Sequence, residues 1–216
     1  MVKKGLFVVF EGIEGSGKSL QSHYLIRHIM YLSKHIDTLW THEPWRSDEI
    51  IRMLAEDKNA FSNGKKMAEL YIEDRVKHTN EIIRPSLEKG IFVISDRYSL
   101  STCMYQKTQG IPYDELVEMH KRKEILKPDI TFILNIRYEC AAERILKRGL
   151  ATEKFEKNEI FTKELIKNYQ EFDRNNRENL EVFGKIVHVL GETTKEKVAK
   201  QIRNYFFPIY DKWEKE

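Results

Sequence analysis

Residues 12–19 read GIEGSGKS and follow directly on the apolar run LFVVFE. The pattern G-x-x-x-x-G-K-[ST] is met by Gly12, Gly17, Lys18 and Ser19. The context is a strand-like run before it and a helical spacing after it, which is the setting a phosphate-cradling loop requires. Glycines let such a loop bend so that several backbone N–H groups face inward, and the helix that follows adds partial positive charge at its N-terminus. Lys18 is then expected to reach the β- and γ-phosphates of a nucleotide, and Ser19 to offer its hydroxyl to Mg²⁺. The loop residues Ile13, Glu14, Gly15 and Ser16 and the next helical residue, Leu20, complete the predicted donor-phosphate site. A loop of this kind fits only where a buried strand hands over to a helix, so it constrains the fold more than any other stretch.

The rest of the chain follows that lead. Short apolar runs at residues 6–10, 91–94 and 130–136, a weaker one at 186–190 and a fifth candidate at 38–41 lack polar alternation. Runs of this type belong to strands covered on both faces. Between them, residues 18–34, 67–89 and 159–182 show helical spacing of apolar residues. In 18–34 the predicted inner face carries Leu20, Tyr24, Leu25, His28 and Leu32. Strands alternating with helices predict an α/β fold: a parallel sheet with helices on both faces and ligands beyond the carboxyl ends of the strands.

Length and charge narrow the function. At 216 residues one domain is expected, spanning 1–216. A net charge of +3 suits a small anionic substrate; with no arginine-rich run, no nucleic-acid partner is expected. Cys103 and Cys140 lack metal or redox spacing and point to reduced thiols in a cytoplasmic setting. The N-terminal apolar run is too short for a signal sequence, and no segment is long enough to span a membrane. No N-K-x-D string is present, which argues against a small GTPase, and a large ATPase would need more chain. The second phosphate-bearing molecule is therefore expected to be small and bound within the same domain.

Three further stretches carry a resemblance. They are THEPWRSD at 41–48, LYIEDR at 70–75 and SDRYSLSTCMYQ at 95–106. With FEGIEGSGKS they resemble the thymidylate kinases, in the right order and from about residue 6 to 198. The resemblance implies transfer of the γ-phosphoryl group of ATP to dTMP, with Mg²⁺ as cofactor, and a homodimer. It places Glu14 near the sugar 3′-hydroxyl and Arg46 on the acceptor phosphate. Tyr71 would stack on the base and Arg75 bond its edge. Asp96 and Arg97 would organise the metal-bound and acceptor phosphates, and Ser101, Thr102, Tyr105 and Gln106 would wall the base. Physical chemistry favours the same set: two polyanions held close together need cations between them, and arginine supplies paired donors that lysine cannot.

The loop itself holds no basic residue at 13–16, so the resemblance is to members that bring the cation from a lid, here about 143–157. Arg148 is the expected catalytic cation, Arg144 lies toward the adenine, and Lys154 is the backup. Three departures bear on the base: Trp45 stands where the family has glycine, Glu73 where it has a small residue, and Met104 where it has alanine. The alternatives are a kinase for another nucleoside monophosphate, or a nucleotide-binding regulator with weak activity.

Overall fold

The computed structural model describes residues 3–56, 63–123, 125–148, 158–172 and 180–216. Five strands form one parallel sheet: β1 (Phe7–Glu11), β2 (Thr38–His42), β3 (Phe92–Asp96), β4 (Ile130–Asn135) and β5 (Lys185–Leu190), in the order β2-β3-β1-β4-β5. All five predicted strands are present, including the fifth candidate. The register sets the functional edge. Asp96, the last residue of β3, lies opposite both Phe10 of β1 and His42 of β2. The loops that leave these three strands therefore emerge side by side.

Alternation within β1 explains the two covered faces. Val8 and Phe10 point into a core closed by helix α1 (Lys18–Leu32) and helix α10 (Lys195–Lys215), with Leu25, Ile29, Ile202 and Phe206 against them. Phe7 and Val9 point the other way, toward Val93, Ile83, Leu87 and Tyr98. A third cluster packs Ile133 against α5 (Ser99–Thr108), α6 (Tyr113–Arg122), α7 (Tyr138–Arg148) and α8 (Glu159–Glu171).

Two expectations change. The buried face of α1 is Lys18, Gln21, Ser22, Leu25 and Ile29, and Leu20 is exposed. Lys18 has to face inward to reach the phosphate loop, and the 100° step per residue then turns Leu20 outward. Residues 67–89, expected as one helix, begin earlier and run in three pieces: α3 (Gly64–His78), a π-helical turn (Thr79–Ile83) and α4 (Arg84–Glu88). Pro85 supplies the reason. It has no N–H to give the ladder and its ring crowds the preceding turn, and the wider turn absorbs the mismatch. The Arg84 N–H bonds back to the Thr79 carbonyl across five residues. Helix α10 lies beyond the last predicted segment. Helix α2 (Asp48–Glu56) and α9 (Leu180–Phe183) complete the elements. Of the expected lid, residues 149–157, with Lys154, lie outside the described residues.

Candidate active site at the carboxyl edge of the sheet

The phosphate loop is built as its glycines require. Gly12 sits at φ 133°, and a Cβ there would stand 2.8 Å from the Leu134 carbonyl oxygen. Gly17 caps α1 at φ 97°. Both conformations are costly for any residue with a side chain. Lys18 is buried, and its Nζ donates to the Ile13 carbonyl at 2.9 Å. The Ser16 hydroxyl is buried with no hydrogen-bond partner among the described residues. A buried orphan hydroxyl in a glycine-rich loop at a helix N-terminus is what an anion would satisfy. Burial, with the nearby Arg97 charge, pushes the Lys18 amine down to about 8; phosphate oxygens beside it would draw it back up.

Around the loop stand the other charged groups. The Ser19 hydroxyl donates to Asp96 Oδ2 at 2.5 Å. Two hard oxygen donors side by side suit Mg²⁺, which takes one or two protein ligands and fills its remaining positions from phosphates and water. Arg97, the next residue, holds a left-handed backbone at φ 72°. Its Nη1 donates to the Gly12 carbonyl at 3.1 Å and to the Ser101 hydroxyl at 3.2 Å. Strained non-glycine backbone costs ~1–3 kcal/mol and gathers at functional sites. Glu14 takes Arg148 Nη1 at 2.9 Å and lies 3.8 Å from Arg97 Nη2. Burial would raise the Glu14 carboxyl, but Lys18, Arg97 and Arg148 outweigh it and hold it below its ordinary range. Arg144 Nη2 donates to the Gly191 carbonyl at 2.8 Å, bridging the loop after β5 toward Gly15.

Facing this loop is a cavity of about 630 Å³. Its lining includes Glu14, Tyr71, Arg75, Arg97, Ser101, Thr102, Tyr105 and Gln106. These are eight of the nine residues expected at the acceptor. Arg46 is absent from that lining. Its guanidinium lies 4.5 Å over the Trp45 ring, and Trp45 in turn stacks on His78 at 5.2 Å. The tryptophan that departs from the family pattern thus offers the arginine a flat partner. Glu73 and Met104, the other two departures, do not line the cavity. Glu73 is exposed on the outer side of α3, and Met104 is buried in the core.

Sequence reasoning missed how the acceptor wall is held. Arg75 is 1% exposed and makes four bonds. Its Nε donates to Glu43 at 2.7 Å, Nη1 to His120 Nε2 at 2.9 Å, and Nη2 to the Tyr98 carbonyl and the Thr102 hydroxyl at 3.1 and 2.9 Å. Glu43 also meets His78 at 3.2 Å, and His78 meets Thr41 at 2.7 Å. Asp74, beside Arg75 on α3, accepts from the backbone N–H groups of Trp45 and Arg46 at 2.6 and 3.0 Å and so fixes the loop after β2. Below the cavity the wholly buried Glu11 accepts from the N–H groups of Tyr98 and Ser101, from the Ser101 hydroxyl and from Tyr169. It caps α5 from the end of β1, satisfying N–H groups the helix cannot pair internally. His42, Glu43, Pro44 and Tyr98 line the cavity, and the string HEP was the available signal for three of them. Ile51 and Leu54 of α2 close its outer side.

Comparison with known proteins decides between the readings. The family model described as thymidylate kinase matches residues 10–202. The chain belongs to the thymidylate kinase family. Among curated thymidylate kinases, that of Caldicellulosiruptor saccharolyticus is 32% identical over 93% of this chain and 95% of its own. The one from Desulfotalea psychrophila is 34% identical over 74% of this chain and 78% of its own. A probable thymidylate kinase of Methanocaldococcus jannaschii is 37% identical over 73% and 77%. Membership makes the chain a nucleoside monophosphate kinase, a phosphotransferase of the phosphate-loop α/β type. No helix among the described residues is long and apolar enough to cross a membrane.

Proposed function

We propose that the chain moves the γ-phosphoryl group of ATP onto dTMP, giving dTDP and ADP. One observation carries the choice of acceptor base: the cavity wall holds a hydrogen-bond donor and an acceptor, both buried and both without a partner among the described residues. A guanidinium has five N–H groups. Arg75 commits four, so one hydrogen on Nη1 is left. The Gln106 side chain gives its Nε2 to Gln109 at 3.1 Å, while its Oε1 is buried with no partner among the described residues. Thymine presents O4, an acceptor, next to N3–H, a donor. Cytosine presents the reverse pair, which would leave both protein groups unsatisfied. A buried polar group left unmade costs about 1–3 kcal/mol, and sites built on such bonds discriminate strongly. Tyr71 then offers a flat face for the ring.

The reacting phosphates meet between the loop and this cavity. The dTMP phosphate oxygen is already anionic and attacks the γ-phosphorus; the bond from that phosphorus to the β-bridging oxygen breaks, and ADP leaves with the electron pair. No residue need remove a proton. The protein's work is charge neutralisation and alignment. Lys18 and the loop N–H groups hold the donor, and Arg97 lies between loop and cavity. Glu14 can accept a sugar hydroxyl. Arg148 stands at the end of α7 within reach of Glu14, as a cation for the transferred group. Mg²⁺ bound through Ser19 and Asp96 would neutralise donor-phosphate charge. Turnover with a panel of monophosphates tests the reading: dTMP should give the highest kcat/KM, and equal or better use of dCMP or dGMP would overturn it.

A further inference from the structure

His120 is buried on α6, and it does not line the cavity. Its Nε2 lies 2.9 Å from Arg75 Nη1 and its Nδ1 lies 2.6 Å from the Leu116 carbonyl oxygen. A guanidinium only donates, and a carbonyl only accepts. The ring is therefore neutral, with its hydrogen on Nδ1 and a lone pair aimed at Arg75. Burial first, and then the Arg75 charge, hold the ring down at about 3, so this state persists across the physiological range. A further polar neighbour is the buried Cys103 thiol, 3.8 Å from Nδ1 and pushed up by its own burial. Phe183 closes the remaining side.

We propose that His120 is a positioning residue for base selection: by accepting one Nη1 hydrogen of Arg75, it fixes the guanidinium plane so that the other Nη1 hydrogen serves the acceptor base. This rests on the dTMP reading above. The logic is one of counting. Glu43 fixes Nε, while Tyr98 and Thr102 fix Nη2. Without His120, both hydrogens of Nη1 lack a protein partner, and the plane can tilt to satisfy one of them elsewhere. A histidine in this tautomer offers no competing donor to O4 or to Arg75. The signal in the sequence is slight: one histidine in the amphipathic run YDELVEMHKR, 45 residues from the arginine it serves.

The test compares His120→Leu, which removes the acceptor, with His120→Gln, which keeps one on a flexible side chain. In His120→Leu, KM for dTMP should rise about tenfold, the scale of one hydrogen bond to a charged group, with KM for ATP within about twofold. The ratio of kcat/KM for dTMP over dCMP should fall by a similar factor. His120→Gln should recover most of that ratio. Equal rises in both KM values, or an unchanged base preference, would overturn the proposal. Should His120→Leu not fold, ¹⁵N shifts of the wild-type ring decide the matter instead. Nε2 should be unprotonated at neutral pH, and its shift should move with dTMP but not with an ATP analogue alone; a protonated Nε2, or one indifferent to dTMP, is the contrary result. Failure of wild-type protein to prefer dTMP would instead strike the functional reading, and the two failures are separable.

Discussion

The two halves of the site are built from different materials. On the donor side an anion would meet backbone: the phosphate loop, with three positive-φ glycines, Gly12, Gly15 and Gly17, and one lysine drawn from the helix that follows. On the acceptor side the cavity is walled by side chains, and those side chains are held by others from separate elements. Arg75 of α3 is fixed by Glu43 after β2, Tyr98 and Thr102 at the start of α5, and His120 of α6. A backbone cradle has few alternatives and tolerates changes around it. A buried side-chain network binds its own members, so the loss of one damages the fold as well as the chemistry.

Arg75→Met gives the largest expected effect. It leaves the Glu43 carboxylate buried without its cation, which costs about 3–5 kcal/mol when one partner of such a pair is removed. Against a typical total of about 5–15 kcal/mol this is severe. Urea unfolding measures it, and a loss under about 1 kcal/mol would erase the distinction between the halves. Lys18→Ala is the donor-side counterpart. Here kcat should fall about 10²–10³-fold, the scale for removing one preorganised charge at the transferred group, with stability unchanged or improved. A parallel drop in melting temperature would show that the lysine holds the fold.

The sign of that stability effect follows from protonation. The folded-state Lys18 amine sits near 8, below its ordinary value of 10.5. Below pH 8 it is charged in both states, and its burial weighs fully against folding. Between pH 8 and 10.5 the folded form sheds the proton while the unfolded chain keeps it, so this group contributes rising stability. Activity runs the other way. In free enzyme the cation is lost above pH 8, and kcat/KM for ATP should decline there, approaching tenfold per pH unit, if no other group intervenes. A profile that stays flat to about pH 10, near the ordinary lysine value, would place the amine in a wetter setting.

The smallest effect concerns the ion pair between the halves. Glu14 and Arg148 are 33% and 44% exposed. A double-mutant cycle should give a stability coupling of no more than about 1 kcal/mol, whereas kcat should respond to Arg148→Ala far more than stability does. A coupling near that of the buried Arg75–Glu43 pair would make Arg148 a structural tether rather than a cation for the reaction.

This difference in material also decides what could be read from the chain. The loop was legible because its residues are consecutive, and the strands because burial on both faces leaves unbroken apolar runs. Eight cavity-lining residues were legible because short motifs carry them. Arg46 stands apart from that lining, because its ring partner is the residue that breaks the motif. The inner face of α1 was misread because Leu20 looks like a core residue, whereas the loop demands that Lys18 face in. Glu11 and His120 gave no local sign of their roles, and the HEP string marked Glu43 without naming its partner. The partners of Glu11, Glu43 and His120 lie 90, 32 and 45 residues away, and only the folded arrangement of strands and helices brings them together.

The carboxylate of Glu11 has a consequence for how such a chain can change over time. It grips the start of α5 from the strand that feeds the phosphate loop, so the base of that loop is riveted to the wall of the cavity. Drift toward a new acceptor has little freedom there, since any displacement would travel to both ligands at once. Evolvability is left to the outer rim, where Ile51, Leu54 and the Trp45 turn can vary while the rivet stays in place.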